Sequence, residues 1–197
     1  MQKLTVLLRT TAALAVVAGA LNGCTTTTSS TPPAAKPDSA AARIEIDEGV
    51  NSTLSRLYAQ AGGMRELVAE ANGVLVFPRV LAAGLVVGGE YGRGVLRAKG
   101  QPAGYYRLMS VSVGFQAGAQ SKAIVFLFMT RDALDKFRAS KGWTVGADAS
   151  VAVLKVGANG QIDTTTATGP VRVIVLTNAG LMANLNLEGT RIMPVDL

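Results

Sequence analysis

The sequence predicts an α+β fold, in which N-terminal helices and one later helix pack on a curled or barrel-like, mainly antiparallel sheet. Three observations predict it. Apolar residues recur at steps of three and four over residues 46–61, which is the spacing of an amphipathic helix. Short β-rich runs follow from residue 73, mostly joined by short turns, and TRDALDKFRAS then shows helical spacing again. Strands joined in this way favour antiparallel pairing and a sheet that curls or closes.

The N-terminal helical region begins near Arg43. RIEIDEGVNSTLSRLYAQAGG has an apolar stripe and ends at Gly62–Gly63, and MRELVAEANG predicts a second short helix that stops at Asn72–Gly73. The polar face of the first helix is slightly acidic, whereas a helix that lies on a membrane usually carries Lys and Arg there. We therefore expect this helix to pack on its own domain.

The strand region contains one run that we expect at the centre of the sheet. AIVFLFM, residues 123–129, is apolar on both alternating faces, which indicates a buried strand. GVLVFP is a shorter run that we expect to end at Pro78, and ASVAVLKV and VRVIVLT predict further strands. Asn159–Gly160 predicts a hairpin turn, and Thr130 is placed to cap the later helix.

Residues 84–94, GLVVGGEYGRG, contain five glycines. A dinucleotide-binding fingerprint needs G-x-G-x-x-G opening a helix, but the third glycine is missing here and another β-rich run, GVLRAK, follows. We therefore expect the glycines to permit bends, bulges or close backbone contacts in a curved sheet. They are Gly84, Gly88, Gly89, Gly92 and Gly94.

The charge balance is compatible with an anionic partner. The formal net charge is +6 and the isoelectric point is about 9.8. The sequence has no basic stripe interleaved with aromatic residues, no zinc-finger spacing and no basic helix, so we expect no nucleic-acid partner.

The amino-acid composition excludes several classes of catalytic and metal-binding site. The chain contains no histidine, so Ser-His-Asp and Cys-His catalysis and histidine metal sites are excluded. Cys24 is the single cysteine, so neither an intramolecular disulfide nor a cysteine-based zinc site can form. We expect no cofactor and no metal.

The first residues have the order of an export signal. Lys3 and Arg9 form a positive region, TTAALAVVAGAL is a short apolar core, and LNGC closes it. This pattern resembles a bacterial lipobox, in which Cys24 becomes the acylated N-terminus. The alternative is an ordinary signal peptide cleaved nearby, with Cys24 left as a free thiol. Thr25 follows the cysteine in place of Asp, which by resemblance to lipoprotein sorting favours the outer membrane.

These features predict three regions. Residues 1–23 form a signal peptide, and residues 24–42 form the lipidated cysteine and a flexible tether rich in Thr, Ser, Pro and Ala. Residues 43–197 form the folded domain. We expect the protein to be lipid-anchored in the outer membrane of a bacterial cell envelope, facing the periplasm.

Four ordered segments of this domain resemble the SYLF domain family. They are FPRVLAAGLVVGGEYGRGVL, SVSVGFQAGAQSKAIVFLFMT, GADASVAV and NAGLMANLNLEGTRI. The resemblance covers roughly Arg43 to Leu197 and implies a compact α+β domain. SYLF domains occur in animal and fungal proteins that bind phosphoinositides and, in fungi, actin, and in bacterial secreted lipoproteins that are often called lipid-binding. This chain is similar to the bacterial kind, so the resemblance implies lipid binding and brings no known catalytic activity.

The candidate head-group site is a set of basic residues in the strand region. Strand alternation places Arg93, Arg97 and Lys99 on one side of a strand, and Arg107 follows on a predicted partner strand just past the KGQPAG turn. Arg79 and Lys122 are further candidates. Such a patch fits anionic phospholipid, and the alternative is an ordinary solvated sheet face.

Two other classes of function compete with lipid binding. Glu90, Asp148 and Glu188 could serve an enzyme as general acid and base only if two of them met across a cleft, so we expect no enzyme. A structural or assembly protein that docks another envelope protein is the alternative, since exposed strand edges can pair with a partner.

The acylation of Cys24 can be tested directly. We expect the Cys24→Ser variant to remain a precursor that does not label with radioactive palmitate, because the acyl acceptor is gone. The wild-type chain, labelled in parallel, is the control. Efficient labelling of the variant would reject the assignment.

Overall fold

The computed structural model describes residues 39–84, 87–113, 118–156, 162–163, 168–178, 180–182 and 187–197. The predicted signal peptide, Cys24 and the tether as far as residue 38 lie outside the described residues. Ala35–Leu197 form one unit, which contains both hydrophobic cores described below. In the described part of the chain, no helix combines the length and the apolar character that a membrane crossing requires.

Within the described ranges, three helices flank the sheet: α1 (Ser39–Gln60), α2 (Met64–Glu70) and α3 (Arg131–Ala139). The first begins before Arg43, so its first turn takes up the last residues of the predicted tether, and Ala42 is already buried. The predicted cap of α3 is confirmed, because the Ala133 N–H donates to Thr130 Oγ1 at 3.2 Å. This cap fixes where α3 begins, directly after the central strand.

The strands form a mainly antiparallel sheet, which confirms the predicted α+β class. They are β1 (Gly73–Gly84), β2 (Val87–Ala98), β3 (Gln101–Val113), β4 (Gly118–Phe128), β5 (Trp143–Thr144), β6 (Val151–Val153), β7 (Lys155–Val156), β8 (Ile162–Asp163), β9 (Val171–Thr177), β10 (Gly180–Met182) and β11 (Arg191–Pro194).

The sheet order is β10-β9-β4-β1-β2-β3-β11-β5, with β6 pairing parallel to β9, while β7 and β8 pair separately. Residues 123–128 of the apolar run lie in β4 between β9 and β1, so the predicted central position is confirmed, and the strand ends one residue before Met129. The Asn159–Gly160 turn lies outside the described residues, but β7 and β8 on either side of it pair antiparallel.

Each face of the sheet buries its own hydrophobic core. Phe126 and Phe128 of β4 point into one core together with Phe137 of α3, and we call this side the α3 face. Val125 and Leu127 point into the other core together with residues of α1 and α2, and we call this side the α1 face. A strand with both alternating sets buried is apolar throughout, which is why the sequence of β4 lacks a polar face. The helix α1 therefore packs on its own domain, as its acidic polar face predicted.

A bulge at Pro78 interrupts the alternation of β1. The prediction that the strand ends at Pro78 is wrong, because β1 continues to Gly84. Proline has no N–H to donate to the ladder and is accommodated at bulges, and the register of β1 shifts here against both β2 and β4. As a result Phe77 and Val80 both lie in the core of the α3 face, and Arg79 lies on the α1 face.

Two glycines of β2 fit closely against this bulge. A Cβ at Gly92 would lie 2.8 Å from Val80 Cγ2, and a Cβ at Gly94 would lie 2.7 Å from Phe77 Cδ1 and collide with the Val76 carbonyl oxygen. The predicted role of the glycines in allowing close backbone contacts is thus confirmed at Gly92 and Gly94. At Gly89 the expectation of a tight contact is wrong, because the nearest atom to a Cβ would be Ser110 O at 3.8 Å, an ordinary contact.

We therefore expect Gly94→Ala to destabilise the domain by about 1–3 kcal/mol, the usual range for a side chain forced into a packed interior. Gly89→Ala is the matched control and should change stability by only a few tenths of a kcal/mol. Urea unfolding of both variants measures the difference. Equal midpoints for Gly94→Ala and the wild type would show that the bulge does not constrain β2.

Candidate functional site

Three of the predicted basic residues form one row across three neighbouring strands. Arg79 of β1 is the register partner of Arg93 in β2, and Arg93 is the register partner of Arg107 in β3. Register partners project from the same face of a sheet with their Cβ atoms about 4.5–5.5 Å apart. Val95, which follows Arg93 at the next position on the same side, lies in the core under α1. The three side chains, which we call the arginine row, therefore share the α1 face.

The arginine row carries uncompensated charge. Arg79 and Arg107 are exposed and Arg93 is half-buried. Among the described residues, no carboxylate lies within ion-pair distance of any of the three. Like charges placed directly opposite each other on adjacent strands are destabilising. An anion bound at the row would relieve that repulsion.

The other three predicted residues are placed differently. Arg97 also lies on the α1 face, but α1 covers it: its Nη1 donates to Asn51 Oδ1 at 2.8 Å, and its Nη2 lies 3.5 Å from Asp47 Oδ1. Lys122 Nζ lies 2.7 Å from Glu90 Oε1, and both side chains are nearly buried. Both cations already have an anionic partner within the fold.

The expectation that Lys99 shares a strand face with Arg93 is wrong. The strand β2 ends at Ala98, and Lys99 lies in the turn to β3 with a φ of 51°, in the left-handed region. Gly100 follows with a φ of 78° and completes the turn. Alternation along a strand does not apply at this position, so Lys99 is outside the row.

A pocket of about 370 Å³ lies beside the arginine row, between α1 and the strands β1 and β2. Three arginines line it, Arg56, Arg79 and Arg93, against one carboxylate, Glu45. The pocket is therefore positively charged on balance. Its remaining lining residues are Ile46, Gly49, Ser52, Thr53, Pro78, Leu81, Tyr91 and Gly92.

Arg56 is a pocket residue that was not predicted from the sequence. Its Nη2 donates to the carbonyl oxygen of Thr177 at 3.0 Å, which holds the side chain across the end of β9. A helical pattern shows that Ser52 and Arg56 share a face of α1. It does not show which strand that face meets, so no signal in the sequence pointed to the pocket.

A polar seam fixes α1 on the sheet and thereby forms one wall of the pocket. Tyr105 Oη donates to Asp47 Oδ2 at 2.9 Å, and the guanidinium of Arg43 lies 5.7 Å from the centre of the Tyr105 ring. Asp47 also pairs with Arg97. Farther along the helix, Gly49 allows close approach, since a Cβ there would lie 2.9 Å from Pro78 Cβ.

The three candidate carboxylates have structural contacts. Glu90 is held by Lys122, and Asp148 Oδ2 accepts a hydrogen bond from the Thr144 N–H at 2.6 Å within a turn. Glu188 lies beside Gly146, whose Cβ would be 3.4 Å from Glu188 Cγ. Glu90 is on a strand in the middle of the sheet, so the structure does not show it paired with either of the others.

The Tyr105 phenol makes the stability of the contact between α1 and the sheet depend on pH. Burial, and then the hydrogen bond and charge of Asp47, raise the pKa of Tyr105 above its ordinary value of 10.0. A raised pKa means that the phenol stabilises the fold fully below pH 10.0, and that this contribution is lost as pH rises through the folded-state pKa.

We therefore expect the wild type to lose more stability than Tyr105→Phe between pH 9 and pH 11. Urea midpoints at both pH values measure this. Burial also raises the pKa of Tyr106, but that residue is present in both proteins and its effect cancels in the comparison. Parallel losses in the two proteins would show that the phenol does not hold α1.

A family model described as "Ysc84: Las17-binding protein actin regulator" matches residues 109–196. The matched part runs from the end of β3 to β11, so the pocket and the arginine row precede it. No curated protein matches the chain. The site is therefore supported by its geometry and not by the family match.

Proposed function

From the premise that the chain belongs to the SYLF (Ysc84) domain family, we propose that it is a membrane-anchored lipoprotein. We propose that its domain binds anionic phospholipid at the surface of the cell envelope. The proposed anchor is the acyl group on Cys24, and the proposed location is the periplasmic side of the outer membrane. We propose a binding function and no enzymatic one. The observation that carries the proposal is the row of three arginines without acidic partners beside a basic pocket.

The chemistry of the row suits a lipid phosphate. A guanidinium presents a planar fork of donors that matches phosphate oxygens, and it stays charged at every physiological pH. The pocket of about 370 Å³ falls within the usual range for small-molecule sites, about 300–1,000 Å³. A phosphate at Arg79 and Arg93 would also neutralise two charges that now face each other.

The acyl anchor would make weak affinity sufficient. A domain tethered to a bilayer meets its lipids at a high effective concentration, so each individual contact can be weak. Las17 binding and actin regulation are properties that the description gives to the matched family. The proposed export would place this chain away from any cytoskeleton.

The test is a charge-neutral variant of the row, Arg79→Gln, Arg93→Gln and Arg107→Gln. Each basic group near an anionic surface contributes about 1 kcal/mol, so binding to phosphatidylglycerol vesicles should weaken by about two orders of magnitude. Cosedimentation of the predicted mature chain, residues 24–197 with Cys24→Ser, measures it. Stability should be retained, since the repulsion within the row is also removed.

The matched control is Arg131→Gln, Arg138→Gln and Lys141→Gln. These three side chains are exposed on or just after α3, which packs on the opposite face of the sheet, and the loss of net charge is the same. The control should bind like the wild type. Equal weakening of both triple variants would mean that only net charge matters and would remove the arginine row from the proposal.

The alternative, a structural protein that docks another envelope protein, does not need phospholipid. Under that alternative the purified chain would not cosediment with phosphatidylglycerol vesicles at all. The same measurement therefore separates the two functions.

A further inference from the structure

An exposed apolar row runs next to the arginine row on the same face of the sheet. Leu81 of β1 is the register partner of Tyr91 in β2, and Tyr91 is the register partner of Met109 in β3. Each follows its arginine by two positions along the strand, which puts it on the same side. The three side chains are 52%, 48% and 45% exposed.

A second row continues the apolar surface towards the ends of the strands. Ala83, Gly89 and Val111 are register partners two positions farther on, and Val111 is 77% exposed. We call the surface formed by Leu81, Ala83, Tyr91, Met109 and Val111 the apolar ledge. At about 3.3–3.4 Å per residue, its two rows lie roughly 7 and 14 Å beyond the arginine row.

The ledge is a patch and not a scatter of single residues. Among the described residues the large hydrophobic side chains that are exposed are Ile44, Leu81, Tyr91, Met109 and Val111, and all but Ile44 belong to it. A contiguous exposed apolar surface bordered by polar groups marks an interaction site. Glu90, which lies between Tyr91 and Gly89 in the chain, points to the other face and is paired with Lys122. The ledge therefore presents no carboxylate of its own from β2.

We infer that the apolar ledge inserts into the boundary between head groups and acyl chains of an anionic membrane while the arginine row contacts the phosphates. This inference rests on the proposed function and adds to it an orientation and a source for the phosphate, a lipid surface. Elements that lie in a membrane interface bury their apolar side by about 5–10 Å. The first row of the ledge, about 7 Å beyond the arginine row, falls within that depth, and the second row, at about 14 Å, extends slightly deeper.

Two further features fit a bilayer as the occupant. Tyr91 combines an apolar ring with a polar hydroxyl and sits between arginine and aliphatic positions, as aromatic residues do at membrane interfaces. The helix α1 contacts Arg97 and Pro78, on the side of the arginine row that faces away from the ledge, and its Glu45 and Ser52 line the pocket. This polar wall would limit insertion to the ledge.

The first test places a reporter on the ledge. Val111→Cys, made in residues 24–197 with Cys24→Ser, gives a chain with a single thiol that can carry the environment-sensitive dye NBD. Phosphatidylglycerol vesicles should shift its emission to the blue and raise its intensity several-fold. A dye on Lys141→Cys, beyond α3, should not change. Inorganic phosphate and glycerol phosphate should leave both dyes unchanged, and a response to these soluble anions equal to that of vesicles would overturn the membrane assignment.

The second test removes the apolar character. Leu81→Gln, Met109→Gln and Val111→Gln should weaken vesicle binding about tenfold or more, and the residual binding should be abolished by salt. Ile44→Gln, an exposed apolar residue of α1 outside the ledge, is the matched control and should bind like the wild type. Equal binding by the ledge variant and the wild type would overturn the inference.

The two proposals can fail separately. If vesicle binding requires the arginine row while the Val111 dye stays unchanged, the ledge is wrong and phospholipid binding stands. If neither triple variant weakens vesicle binding, the arginine row and the ledge are both wrong as the binding surface. If the wild type does not cosediment with the vesicles at all, phospholipid binding itself is wrong. The dye measurement keeps the row and the ledge intact except for one exposed side chain, so its outcome does not depend on how well the triple ledge variant folds.

Discussion

The placement of the proposed binding surface depends on Pro78, a residue that cannot donate to the ladder in the middle of a long strand. The bulge there reverses the alternation of β1, so Phe77 and Val80 share one core and Arg79 turns to the α1 face beside Arg93. The neighbouring strand can follow the bulge only because Gly92 and Gly94 lack side chains. Phosphate cradling and close packing were the two explanations for these glycines, and packing accounts for them.

The basic residues divide into two groups by their partners. Arg97 and Lys122 are partly or nearly buried and paired with Asp47 and Glu90, so their charges stabilise the contacts of the sheet. The arginine row has no such partners among the described residues, and like charges directly opposite each other on adjacent strands are destabilising. The stability of the fold does not require the charges of the arginine row. Because three strands hold these charges in register, a ligand can bind them together.

The sequence pattern predicted the helices and strands better than it predicted the candidate binding site, and the difference has physical causes. The apolar run of β4 and the Thr130 cap depend on local sequence alone, and both are confirmed. The basic patch depended on strict alternation, which fails where β2 gives way to a left-handed turn at Lys99. Arg56 reaches the pocket only because α1 crosses the strands, and no local pattern encodes that crossing.

The arginine row and the apolar ledge would contribute to membrane binding in different ways. Charge acts over about a Debye length, roughly 8–10 Å at physiological salt, so the row would bring the α1 face towards an anionic surface and orient it. Burial of exposed apolar area is short-ranged and is not screened by salt, so the ledge would prolong residence once contact is made. Because the two surfaces occupy successive rows of the same strands, orientation by the first presents the second to the bilayer. The bulge at Pro78, by turning Arg79 and Leu81 to one side, is what aligns them.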